Sequence, residues 1–153
     1  MIAFHGMPQA DADALRAGGP DAYGLPAEHS VSDGAGNPCR CCLRSIPKGA
    51  AMLICAYKPF SANQPYAETG PIFLCAEACE NSNAPFPEVL TSSPDYLLKG
   101  YTADERILYG TGQVTASGDV AAYAASLLAR EEIAFVDVRS ARNNCWQARI
   151  TRR

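Results

Sequence analysis

The clearest periodic signal in the chain lies in SGDVAAYAASLLAREE, residues 117–132. Val120, Tyr123, Ala124, Leu127 and Leu128 recur at i, i+3, i+4, i+7 and i+8, one face of a helix, with Ser117 and Asp119 suited to its N-terminal end. The spacing predicts one long helix in the C-terminal part of the chain, laid by that face on a sheet. A second, shorter helix is expected over PQADADALRAGG, beginning after Pro8 and stopping at Gly18 and Gly19.

Short apolar runs bounded by Gly and Pro read as strands. MIAFHGM opens the chain with one, AAMLICAY and GPIFLCA give a middle pair, and YLLKGYT with RILYGTGQV predicts two more joined by a turn at 103–105. IAFVDVR, SARNN and CWQARIT then predict a terminal hairpin with Asn143 and Asn144 in its turn. Alternation puts Ala134, Val136 and Val138 on one face with Trp146, Ala148 and Ile150; the other face has Phe135, Asp137 and Arg139 beside Cys145, Gln147 and Arg149. That charged face is either solvated surface or the floor of a polar site.

Residues 20–37, rich in Gly, Pro, Ser and Asp, are expected to form an irregular loop, and 58–71 a long loop in which Phe60 and Tyr66 favour order. The fold class that follows is α+β. A single domain over 1–153 is expected, with a mixed, largely antiparallel sheet packed by the long C-terminal helix and the short N-terminal one, ending in a β-hairpin.

Composition narrows the function classes. A chain of 153 residues with 48% apolar content can bury a core without cross-links. A net charge of −3 gives no electrostatic reason to expect a nucleic-acid partner. No apolar run is long enough to suggest a membrane span, and the N-terminus lacks a basic region and apolar stretch of signal-peptide type. The expected compartment is the cytoplasm, where thiols stay reduced.

Seven cysteines then call for metal ligation or reactive thiols rather than a disulfide framework. Cys39 and Cys42 form a C-x-x-C pair, and Cys75 and Cys79 a C-x-x-x-C pair at the end of a predicted strand. Four soft thiolates can close a tetrahedron around Zn2+, a structural cofactor. Cys41, His29 and His5 are competing ligands. The alternatives are a set of buried thiols or a redox dithiol, although Pro47 and Gly49 leave little room for the helix a thioredoxin-type motif requires.

The arginines suggest a second site. Arg139, Arg142 and Arg149 surround the terminal hairpin, and Arg40 and Arg44 flank the cysteines. With Tyr57, Tyr66, Glu68 and Asp137 nearby they would line a pocket for a small anionic ligand; otherwise they pair with the chain's own carboxylates.

NPCRCCLRSIPKGAAMLICAYKPF, PYAETGPIFLCAEAC and AFVDVRSARNNCWQARITR together resemble the bacterial family called domain of unknown function 1203, from about Asn37 to the C-terminus, and MIAFHGMP fits its usual start. The resemblance implies an α+β domain of this size and no established activity. It implies histidine in relatives at the place of Cys75, an exchange that a zinc-ligand position tolerates. Relatives without the Cys42 position imply that the fold itself does not require metal. Histidine in relatives at the place of Asp137, facing Cys145, implies a Cys/His nucleophile there. In this chain an aspartate would raise a neighbouring thiol's pKa, which makes Cys145 a weak catalytic candidate.

Two functions are therefore expected as alternatives. One is a zinc-stabilised binding or interaction module holding a small anionic ligand or a protein partner. The other is a small thiol-dependent enzyme using Cys145 or a cysteine of the 39–42 cluster.

Overall fold

In a computed structural model, residues 1–82 and 84–153 are described, and they form two antiparallel sheets and two helices. The strands β1 (Ile2–His5), β2 (Glu28–Val31), β3 (Ala51–Tyr57), β4 (Gly70–Cys75), β5 (Asp95–Tyr101), β6 (Gln113–Ala116), β7 (Phe135–Ser140) and β8 (Trp146–Arg152) divide between them. One sheet has the order β1-β8-β7-β5-β6 and the other β2-β3-β4. The expected α+β class holds, with two sheets in place of one mixed sheet.

Helix α1 runs Gln9–Arg16 and α2 runs Val120–Leu128, so the long C-terminal helix shrinks to nine residues. Ser117–Asp119 forms a 3-10 turn ahead of α2, and the Ser117 hydroxyl donates to the Leu90 carbonyl instead of capping the helix. Beyond Ala129, burial of Ile133 draws the chain into β7 before another helical turn can form. The predicted face is nevertheless the buried one: Val120, Ala124, Leu127 and Leu128 pack with Leu98, Val136, Val138, Ala148 and Ile150 on the larger sheet.

A second core lies on the smaller sheet. Met52, Leu53, Ile72 and Leu74 pack there with Ala12 and Leu15 of α1 and with Cys39, Cys41 and Ile46. The segment 20–37 is not wholly irregular, because β2 pairs with β3 through Glu28↔Ile54 to Val31↔Ala51. All four β2 residues are exposed, which explains why no apolar alternation marks this strand.

Two further expectations shift. The strand expected over 106–114 begins only at Gln113, preceded by the bridge Tyr101↔Ile107 and by Gly110 at φ +89. Thr111 fills the gap: its hydroxyl accepts from the Gly100 N–H at 2.9 Å and donates to the Leu108 carbonyl at 2.6 Å. In the terminal hairpin the pairing passes from Val138↔Ala148 to Arg139↔Trp146, a bulge at Gln147. It moves Trp146 off the aliphatic face, and the indole meets Tyr57 edge-on at 5.3 Å.

Candidate metal centre

Residues 37–46 curl into a closed loop. The Cys39 N–H donates to the Arg44 carbonyl at 2.9 Å, Leu43 N–H to Cys39 at 3.0 Å and Ile46 N–H to Asn37 at 2.8 Å. Leu43 adopts φ +57, unusual for a branched residue, and its side chain is fully buried in the first core. That burial holds the loop in a conformation it would not otherwise favour, and so fixes the direction of Cys42.

The loop is docked on the end of the smaller sheet. Cys39 bridges in parallel to Phe73, and the Arg40 N–H donates to the Phe73 carbonyl at 3.0 Å. Cys75 ends β4 and Cys79 follows on an irregular segment tied to α1, whose Gln9 amide donates to the Cys79 carbonyl at 2.9 Å. From these three directions the sulfurs of Cys39, Cys42, Cys75 and Cys79 converge within 4.8 Å of one another.

The spacing is informative. A tetrahedron with metal–sulfur bonds of about 2.3 Å has S···S edges of roughly 3.8 Å. Cys39 Sγ and Cys79 Sγ lie 3.7 Å apart, far beyond a disulfide bond, and all seven cysteines are free. The donor set is four sulfurs, which fits a soft or borderline divalent ion and not magnesium or calcium.

The electrostatics favour thiolate at Cys39. Hydrogen bonds from the Cys42 and Cys75 thiols, joined by the backbone N–H groups of Cys75 and Cys42, hold its pKa far below the ordinary thiol value. The Cys75 N–H stands 3.3 Å from the Cys39 sulfur. As donor to Cys39, the Cys42 thiol is itself pushed up to about 12. Cys41 is not one of the four converging sulfurs: it lies beside Cys79, its sulfur approaches Gln9 Oε1 at 3.9 Å and the Cys79 carbonyl at 3.8 Å, and burial pushes it up to about 12. His5 donates to or accepts from Thr151 at 2.8 Å and His29 is exposed on β2, so neither histidine joins the four sulfurs.

Arginine contacts from outside the loop were not legible beforehand. Arg16 of α1 donates through Nη2 to Cys79 Sγ and through Nε to the Cys75 carbonyl, both at 2.9 Å. Arg40 is 3% exposed and donates through Nε to the Trp146 carbonyl at 2.6 Å and through Nη1 to Pro38 at 2.8 Å.

Arg139, Arg142 and Arg149 meet the chain's own carboxylates. Arg149 grips Asp137, Arg139 lies 3.3 Å from Glu68 beside Lys99, and exposed Arg142 reaches Asp95 at 2.8 Å. Arg44 is exposed, and Tyr66 meets Tyr109 edge-on, remote from Arg40 in its contacts. The charged hairpin face is thus not solvated surface: Asp137 is fully buried and Arg139 4% exposed, and Arg149 and Trp146 on it border a cleft. Cys145 sits opposite Ser140, whose N–H donates to the Cys145 carbonyl at 2.9 Å, while Asp137 faces Arg149. The expected juxtaposition of Asp137 with Cys145 is therefore absent.

A cleft of about 640 Å3 opens between the two sheets, walled by His5, Tyr57, Phe60, Trp146 and Arg149, with Asp11 and Glu105 at its sides. Among the described residues the buried Trp146 Nε1–H has no hydrogen-bond partner.

Fold and cluster together define an α+β protein with a four-cysteine site of metal-binding geometry. The chain belongs to the DUF1203 family of proteins of unknown function, whose pattern matches residues 36–152. No curated protein and no solved structure matches it. No helix among the described residues is long and apolar enough to cross a membrane.

Proposed function

We propose that this protein is a zinc-stabilised binding domain, with Zn2+ held by Cys39, Cys42, Cys75 and Cys79. The observation that carries the reading is the convergence of those four sulfurs within 4.8 Å, supplied by three separate chain segments. The ion would tie the 37–46 loop to the end of β4 and to the segment anchored on α1. Its role is structural, because four protein ligands leave no coordination position for water or substrate.

The binding surface of this reading is the cleft between the sheets. Its wall combines Tyr57, Phe60 and Trp146 with polar groups, the usual make-up of a small-molecule site. Of the arginines expected to hold an anion, only Arg149 lines it, and that guanidinium is already engaged by Asp137. A ligand here is recognised through its planar apolar surface more than through negative charge. The thiol-enzyme alternative has less support, since among the described residues no basic side chain hydrogen-bonds to Cys145, whose sulfur donates to the Asn143 carbonyl at 3.7 Å.

Elemental analysis of protein grown with metal supplied tests the reading, together with replacement of the ion by Co2+. One equivalent of zinc, and a cobalt spectrum with intense thiolate charge-transfer and tetrahedral visible bands, are expected. Protein that takes up neither ion refutes the metal site, and an iron-containing red protein refutes zinc.

A further inference from the structure

The four sulfurs account for the ligands of the centre but not for its charge. A divalent ion on four thiolates leaves two negative charges at a site where Cys39 is buried and Cys42, Cys75 and Cys79 are half-buried, and partial burial of charge without compensation is costly. Cys39 is fully buried, and the Arg16 side chain is only 9% exposed where it meets Cys79.

We propose that Arg16 is a positioning residue of the metal centre: its guanidinium fixes the Cys79 sulfur and the Cys75 carbonyl in place and offsets part of the charge that a divalent ion leaves on the four cysteines. This inference rests on the metal reading above. Arg16 spends its fork on the centre, Nη2 on Cys79 Sγ and Nε on the Cys75 carbonyl, both at 2.9 Å. Its Nη1 turns outward to Asp13 at 3.0 Å, a carboxylate that is 56% exposed and well hydrated. Arg40 does not share this role: its Nε and Nη1 donate to the Trp146 and Pro38 carbonyls, and among the described residues no hydrogen bond joins it to the four sulfurs.

The contact joins α1 to the centre. Arg16 and Gln9 precede the matched residues 36–152, so the centre is completed by a segment outside the family pattern.

Zinc affinity of the full chain, measured by competition with a chromophoric chelator, tests the proposal with the Co2+ spectrum as a second readout. Arg16→Met is expected to weaken binding by about 10-fold or more, the usual effect of removing a group that supports a metal ligand. Its cobalt charge-transfer band should move to longer wavelength as the Cys79 thiolate loses its donor, and Arg16→Lys should recover part of both effects. Asp13→Asn, which removes only the outer carboxylate, should not weaken binding. Should Arg16→Met fail to fold by circular dichroism, Arg16→Gln keeps a donor without the charge and carries the same test. Affinity within twofold of the unmutated chain and an unmoved band would overturn the role of Arg16 while leaving the zinc site standing. Failure of the unmutated chain to bind either ion overturns the metal reading itself.

Discussion

Asp137, fully buried on β7, is held by Arg149 of β8 through two parallel hydrogen bonds, Nε at 2.7 Å and Nη2 at 2.9 Å. The same guanidinium donates to the Pro59 carbonyl at 2.7 Å and lies 3.7 Å above the Phe135 ring. One ion pair therefore fastens the 58–69 loop to the larger sheet.

Asp137→Ala leaves Arg149 largely buried with no charge partner. Breaking one side of such a pair costs about 3–5 kcal/mol. Urea unfolding should register that loss, and the double variant Asp137→Leu with Arg149→Met should recover a large part of it. A stability for Asp137→Ala within about 0.5 kcal/mol of the unmutated chain, the range of ordinary surface changes, would contradict the buried-pair account.

This pair also marks how far the sequence could be read. Alternation correctly placed Asp137 and Arg149 on the same face, because a period of two survives wherever the ladder is regular. It failed at Trp146, since the Gln147 bulge, set by three-dimensional pairing with Arg139, flips every residue on the turn side of it. The two cysteine pairs were legible because local spacing encodes a knuckle. Arg16 was not, because its contact with Cys79 spans 63 positions and leaves no local trace. Strand β2 was hidden for a different reason: Glu28, His29, Ser30 and Val31 are all exposed, and backbone pairing alone defines the strand.

Gly6 is where the opening strand crosses the cysteine loop. A Cβ there would press on the carbonyl oxygens of Cys41 and Arg40, the latter at 2.6 Å, and both are backbone atoms that cannot swing aside. The Met7 N–H donates to the same Arg40 carbonyl at 2.7 Å, so relief would break that bond. Gly6→Ala should destabilise the fold by about 1–3 kcal/mol, as overpacking does, and weaken metal retention as well. Thermal melting and zinc content of the purified variant measure the two effects, and a variant that matches the parent in both refutes the close crossing.

His5 makes stability depend on mildly acidic pH. Its pKa is lowered from 6.5, first by burial and then by the positive charges of Arg149 and Arg153. Because the folded value lies below the unfolded one, the unfolded chain takes up the proton first as pH falls. The stability is complete above about 6.5 and is lost from there downward towards the lowered value. Denaturation midpoints should decline over that interval, and His5→Gln, which keeps a donor for Thr151, should flatten this part of the profile. An identical slope in the variant would assign the dependence to other groups.

Cys41 separates the metal ligands from the merely buried thiols. It is fully buried between two cysteines of the cluster region, yet its sulfur faces Gln9 and the Cys79 carbonyl. Cys41→Ser should keep one equivalent of metal and lose less than about 2 kcal/mol, because the smaller hydroxyl can donate to the same Gln9 and Cys79 oxygens. Cys39→Ser removes the sulfur on which the Cys42 and Cys75 thiols and the Cys75 N–H converge, and should lose the metal altogether. A strong chelator should then lower the melting temperature of the parent and of Cys41→Ser while leaving that of Cys39→Ser unchanged, because no bound ion remains to be removed. Equal chelator sensitivity in all three proteins would mean that the ion sits elsewhere, and equal insensitivity that these thiols stabilise the fold by packing alone.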